Sequence, residues 1–179
     1  GCSDGTISIW KAGGGWECMK TLRGHRKDIT GITIHPSGCL ALTTSSDKTL
    51  RLWDLVKGRT TFSTKIEGEP ENVAFSPNGT SYAIQCGSVV TIQPVVSKLG
   101  ENENGNDILR LQHPRKVQSM IFVGSGDGLL VTGCEDGSLR IWQGGSGIEV
   151  VCIPRAHATR IKALAIPYYN NDGDYDDND

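Results

Sequence analysis

An all-β chain of tandem four-stranded units, the blades of a β-propeller, is the fold class predicted by three features of this 179-residue sequence. The first is a period. Ile29, Val73, Val117 and Ile161 open strand-like runs at successive intervals of 44 residues. The second is a recurring end: Thr6-Ile-Ser-Ile-Trp10, Thr49-Leu-Arg-Leu-Trp53 and Ser138-Leu-Arg-Ile-Trp142 each have an Asp six residues before the Trp, at Asp4, Asp47 and Asp136. The third is phase, because His25, His113 and His157 all fall four residues before a strand opening. No stretch carries the periodicity of an amphipathic helix.

Taken in order, residues 1–23 read as the third and fourth strands of a blade, and 24–68 as a whole blade. Within that blade, strands are expected at 29–34, 39–45, 49–54 and 59–66. His35-Pro-Ser-Gly38, Ser46-Asp-Lys48 and Lys57-Gly58 supply the turns between them. Residues 69–112 repeat the plan with Ser76-Pro-Asn-Gly79 as the first turn, but depart from it at three positions. Glu69 stands where the His is expected, Gly87 where the Asp is, and Gln93 where the Trp is. That blade is expected to hold by apolar packing of Val73, Phe75, Tyr82, Ile84, Val90 and Ile92, and then to project a polar loop at 101–107. Residues 113–156 form the next blade, with Gly124-Ser-Gly-Asp-Gly128 as a turn between strands. A phosphate loop would need a helix after that glycine run. Residues 157–168 read as the first strand of a further blade, and 169–179 as an acidic loop or tail.

Composition agrees with many short strands. The 23 glycines are nearly twice the usual ~7 % share, as frequent tight turns require. The formal charge of −2 is the sum of two parts. Five acidic residues and no basic ones lie in the last ten positions, and the remainder carries +3. No apolar run approaches the ~18–20 residues of a membrane helix, so no membrane role is expected. The chain opens on Gly1-Cys2-Ser3-Asp4 without an initiator Met, and is expected to be a partial arc of a longer protein. The six cysteines include no Cys-x-x-Cys; the reading is small buried hydrophobes in a reducing, intracellular compartment. Asn78-Gly79-Thr80 fits a glycosylation sequon but lies between two strand-like runs, where a tight turn is expected.

Gly24-His25, Asp47 and Trp53-Asp54 together resemble the WD40 signature, and residues 113–142 and 4–10 resemble it in part. The resemblance covers residues 1 to about 167 and implies a propeller of seven blades, of which about four would lie in this chain. A narrower resemblance rests on residues 16–62. Trp16-Glu-Cys-Met-Lys20, Ile34-His-Pro-Ser-Gly38, Leu40-Ala-Leu42, Asp47-Lys-Thr-Leu-Arg51 and Leu55-Val-Lys-Gly-Arg59 are similar to the p21-activated protein kinase-interacting protein 1 family.

The WD40 resemblance implies a hydrogen-bonded network of His, Ser/Thr, Asp and Trp in each blade. The candidates are His25, Thr43, Asp47 and Trp53 in one blade and His113, Thr132, Asp136 and Trp142 in another. Asp4 and Trp10 at the start and His157 near the end are single members of the same set. The chemistry suits the role, since indole only donates, a hydroxyl both donates and accepts, and imidazole bridges hydroxyl to carboxylate. A Thr–His–Asp set also invites a hydrolase reading. Here it recurs once per unit, with neither an oxyanion loop nor a nucleophile elbow, so no enzyme is expected. No metal, cofactor or small-molecule substrate is expected either.

The loops around the His positions read His25-Arg26-Lys27, His113-Pro-Arg115-Lys116 and His157-Ala-Thr-Arg160. Arg26, Lys27, Arg115, Lys116 and Arg160 are therefore expected on one rim, with Glu69-Pro-Glu71 the acidic exception. Such a rim favours an acidic peptide or an RNA backbone, against the plainer reading of solvated loop charge. The expected function is a non-catalytic protein-interaction scaffold. The family resemblance implies two partner classes: pre-ribosomal factors in large-subunit assembly in the nucleolus, or a p21-activated kinase that binding restrains. Direct RNA contact and an enzyme supported by a propeller are the rival classes.

Overall fold

The computed structural model describes residues 1–13, 15–95 and 108–165. Fourteen strands and no helix occur among them, gathered into one two-stranded and three four-stranded antiparallel sheets. The first sheet pairs β1 (Ile7–Trp10) with β2 (Cys18–Leu22). The second is β3 (Ile29–Ile34), β4 (Leu40–Ser45), β5 (Thr49–Asp54) and β6 (Arg59–Lys65), within a residue of each expected boundary. The third is β7 (Asn72–Phe75), β8 (Ser81–Cys86), β9 (Val89–Pro94) and β10 (Leu109–Gln112). The fourth is β11 (Val117–Val123), β12 (Leu129–Cys134), β13 (Leu139–Gln143) and β14 (Glu149–Ile153). In each four-stranded sheet, sequence neighbours are also sheet neighbours, so every blade is a simple meander.

Alternation then decides where the core lies, since a strand with one apolar face must bury it against the next sheet. Leu42 and Leu50 of the second sheet meet Val73, Phe75, Tyr82 and Ile84 of the third. Ala83, Val90, Ile92 and Leu111 of the third meet Met120, Phe122, Leu130 and Trp142 of the fourth. Ile7 and Leu22 of the first cover Trp53 of the second. The core is therefore a series of inter-blade layers, with no single centre. Approach is close where the layers touch: a methyl on Gly31 would meet the Val73 amide nitrogen at 3.0 Å and Asn72 Cα at 3.1 Å.

The turns obey the residue chemistry. Gly79 takes a φ of 75°, and Asn78 Oδ1 accepts the Thr80 amide and hydroxyl, closing the Ser76–Gly79 turn. Register shifts interrupt the pairing at Ile9/Trp10, Leu52/Trp53 and Ile141/Trp142. Each of these three shifts sits at an indole, where a bulge re-aims a bulky side chain within the sheet.

Two expectations are corrected. Only Cys134 is buried, with Cys86 half-buried; Cys2, Cys18, Cys39 and Cys152 are exposed. Cys18 and Cys152 lie on outer strands and Cys39 in a turn, where no second sheet covers them. The segment 157–165 forms no strand. It docks through the His157 amide on the Gly137 carbonyl and through buried Ile161, whose N–H donates to the Cys134 carbonyl at 3.1 Å and whose carbonyl accepts from Ser119 Oγ at 3.4 Å. No neighbouring strand pairs with it among the described residues. The polar loop expected at 101–107 and the acidic stretch at 169–179 lie outside the described residues.

Candidate functional site

Each blade's strands alternate in direction, so one end of the arc collects two kinds of connection. These are the loops entering a blade (23–28, 66–71, 113–116 and 154–160) and the turns between its second and third strands (46–48, 87–88 and 135–138). The loops 23–28 and 113–116 are pinned by the hydrogen-bonded sets beneath them.

In the second sheet the set is complete. Trp53 Nε1–H donates to Thr43 Oγ1 at 2.8 Å, and the Thr43 hydroxyl faces His25 Nε2 at 2.8 Å. His25 Nδ1 faces the Asp47 carboxylate at 3.1 Å. Asp47 also accepts from Thr49 Oγ1, the Thr49 amide and the Arg26 amide at 2.6, 3.0 and 2.9 Å. One proton arrangement satisfies every group: indole to hydroxyl, hydroxyl to Nε2, and Nδ1–H to carboxylate. It requires neutral His25, and burial does hold that imidazole below its ordinary pKa, against the pull of Asp47. Burial alone would raise the Asp47 carboxyl. The hydrogen bonds from Thr49, the Arg26 amide and His25 outweigh it and hold the group well below the usual carboxylate range.

The fourth sheet builds a shorter set. Trp142 Nε1–H donates to Thr132 Oγ1 at 3.0 Å, and that hydroxyl meets His113 Nε2 at 3.0 Å. His113 Nδ1 then reaches the Leu111 carbonyl at 3.2 Å instead of Asp136. Asp136 accepts from the Ser138 hydroxyl and amide at 2.6 and 3.0 Å, so it closes its own turn and leaves the network expected for it. Burial again lowers the His113 pKa, and the neutral ring suits a carbonyl acceptor as well as a carboxylate.

The single members expected at the two ends do not join networks. Trp10 is 53 % exposed, since a Thr on a second strand is what an indole binds here, and the first sheet has only β1 and β2. Asp4 accepts from the Thr6 hydroxyl and amide, making the same turn closure as Asp136. The His157 side chain is exposed, and its backbone N–H donates to the Gly137 carbonyl at 3.1 Å.

Sequence reasoning missed Gln85. This 1 %-exposed amide donates from Nε2 to the Val117 carbonyl at 2.7 Å and to Glu71 at 3.2 Å, crossing from the third blade to the fourth. Its signal was a lone long polar residue between Ile84 and Cys86 in an apolar strand. Glu71 also accepts Lys116 Nζ at 2.9 Å. The acidic exception of the rim is thus an inter-blade clamp: Glu71 holds Lys116, and Glu69 lies 3.9 Å from Lys48.

Of the five rim cations, Lys116 is engaged. Arg26, Lys27, Arg115 and Arg160 are exposed and form no ion pair among the described residues. They share that end with exposed Asp28, Glu135 and Asp136, so the rim is mixed in charge. Among the described residues no three His, Cys, Asp or Glu side chains gather into a metal-binding group.

A family model described as WD domain, G-beta repeat matches residues 16–54 and 106–143. The fold resembles the β-propeller domain of Myceliophteria thermophila Cps50 (Swd1), with a TM-score of 0.76 at 19 % identity over 92 % of this chain and 53 % of that one. The chain carries WD40 repeats and has the fold of a β-propeller arc. In sequence it resembles the p21-activated protein kinase-interacting protein 1 family. It is 35 % identical to the p21-activated protein kinase-interacting protein 1-like protein of Danio rerio over 92 % of this chain. Its identity to the Xenopus laevis protein of the same name is 31 % over 93 % of the chain. The chain spans 42 % and 43 % of those relatives' lengths. It is also 44 % identical to Shk1 kinase-binding protein 15 of Schizosaccharomyces pombe, over 46 % of this chain and 24 % of that protein.

Proposed function

We propose that the end of the arc carrying the entering loops docks a protein partner, with Arg26, Lys27, Arg115 and Arg160 as the contacting cations. The observation that carries this is the placement of four exposed cations that form no ion pair among the described residues, three of them (Arg26, Lys27 and Arg115) on loops whose roots are fixed by the buried His25 and His113 networks. The side chains are free while the backbone beneath them is held, which lowers the ordering cost of binding. A continuous cationic track is what a phosphate chain needs, and the interspersed Asp28, Glu135 and Asp136 favour protein over RNA. The scaffold is non-catalytic in this reading, because the Thr43–His25–Asp47 set and the Thr132–His113 pair serve as struts beneath the loops.

The relatives' names, kinase-interacting and kinase-binding, support a p21-activated-type kinase as the partner. Large ribosomal subunit assembly in the nucleolus is the second reading, and it rests on the family resemblance of residues 16–62. Charge reversal at Lys27→Glu with Arg115→Glu, made in the intact protein, tests the site. Loss of the co-purifying partner with an unchanged melting temperature is the expected result, and undiminished co-purification overturns it. Whether the lost partner is a kinase or a pre-ribosomal particle separates the two readings.

A further inference from the structure

The third blade's departures from the repeat leave a measurable space. Register equates the positions: Trp53 pairs with Ala41, Trp142 with Leu130 and Gln93 with Tyr82, each the second residue of its blade's second strand. By the same pairing, Arg51 and Arg140 correspond to Thr91, and Thr43 and Thr132 to Ile84. Where its sister blades carry an indole and a guanidinium, the third blade carries only an amide and a hydroxyl. In the second blade that volume is filled, and Trp53 and Arg51 both crowd Gly24. In the third, a groove of about 470 Å3 opens between β6 and its continuation on one side and β8–β10 on the other.

The groove has the character of a site. Ile66, Ile84 and Val89 make it apolar, and Thr91 and Gln93 add hydroxyl and amide groups. Gln93 is oriented on both sides, its Oε1 accepting the Tyr82 hydroxyl at 3.2 Å and its Nε2 pointing to Thr91 Oγ1 at 3.5 Å. Arg110 and Glu67, 3.2 Å apart and both exposed, also border it. The volume falls in the range of small-ligand pockets, and apolar walls with a few placed polar groups are their usual make-up.

We propose that this groove binds an aromatic side chain, tryptophan, presented by a linear segment of a partner protein. The case comes from the chain's own repeat. In both sister blades this inter-blade position is occupied by an indole whose N–H is bonded to a hydroxyl at 2.8 and 3.0 Å. Here the indole and its hydroxyl partner are both replaced, by Gln93 and Ile84, while an apolar wall remains and a different hydroxyl, Thr91, stands where the sister blades carry Arg51 and Arg140. A ring entering from outside replaces the missing one, with Thr91 Oγ1 or Gln93 Oε1 as acceptor and Arg110 beside the groove for a cation–π contact. The groove begins at the 66–71 loop but includes none of the four rim cations, so the proposal does not rest on them.

The test titrates N-acetyl-tryptophanamide into the 15N-labelled 179-residue chain, with N-acetyl-glycinamide as the blank. Saturable shifts of the Gln93 side-chain amide and the Ile66 and Thr91 backbone amides are expected from the indole probe alone. Gln93→Trp refills the position from one wall and Thr64→Phe crowds it from the other, so each weakens binding at least tenfold while the spectrum stays folded. Lys27→Glu with Arg115→Glu leaves the titration unchanged. The proposal is overturned by non-saturable shifts, by equal shifts from the glycine blank, or by undiminished binding in a folded Gln93→Trp or Thr64→Phe chain.

Discussion

Thr43→Val is the sharpest perturbation of the strut under the rim, because it changes one hydroxyl to a methyl at nearly constant volume. Thr43 is fully buried, Trp53 is 1 % exposed and His25 is 7 % exposed. Its hydroxyl accepts from Trp53 Nε1 and serves His25 Nε2, both at 2.8 Å. Valine orphans a buried donor and a buried acceptor together. Each orphan costs about 1–3 kcal/mol, and the added methyl offsets part of it, for a net loss of about 2–4 kcal/mol. For a domain of this size that is a fall in Tm of roughly 4–16 °C. Thr43→Ser keeps the hydroxyl and loses only a methyl, and is expected to cost about 1 kcal/mol. Guanidinium unfolding of the three chains, with m-values compared, gives the order wild type, Ser, Val. If Val is as stable as Ser, the hydroxyl is not the hub and the reasoning fails.

Three further outcomes follow from the same geometry. Asp47→Asn is expected to cost about 1–3 kcal/mol, since four donors converge on that carboxylate, while the solvent-screened turn closure of Asp136→Asn costs under about 1 kcal/mol; parallel denaturation curves compare them. Burial lowers the pKa of His25 and His113, so the unfolded chain takes up protons first, and stability should fall as pH drops through about 6.5. Unfolding midpoints at pH 7.5, 6.5 and 5.5 check this, and His25→Gln with His113→Gln should flatten the slope. Trp10→Ala is expected to change stability by less than about 1 kcal/mol, against about 3–5 for Trp53→Ala, which empties the layer made with Ile7 and Leu22; the two melting curves decide.

The blades were legible because their cues are local and repeated. Turn glycines, alternating apolar residues and a Trp ten residues after a Thr all lie within one unit of 44. The contrast between Asp47 and Asp136 was overlooked although part of its cue is local: Arg26 follows His25 and gives its amide to Asp47, whereas Pro114 follows His113 and has no amide to give. The difference is whether the His ring finds a carboxylate or the Leu111 carbonyl, a choice made in space. Gln85 escaped notice because its acceptor, the Val117 carbonyl, belongs to the next blade. The groove beside Gln93 was visible only as a missing letter; that a space remains depends on neither Thr91 nor Ile84 growing to fill it. The exposed cysteines mislead for a related reason, since an outer strand keeps an apolar pattern whether or not anything covers it.

Cross-linking mass spectrometry of the intact protein with its co-purified partner tests the central claim most directly, because it reports which end of the arc is occupied. The account predicts partner cross-links concentrated on Lys27 and Lys116, in the loops at 23–28 and 113–116. A pattern centred on Lys11, Lys20 or Lys57, with Lys27 and Lys116 unmodified by the partner, would contradict it.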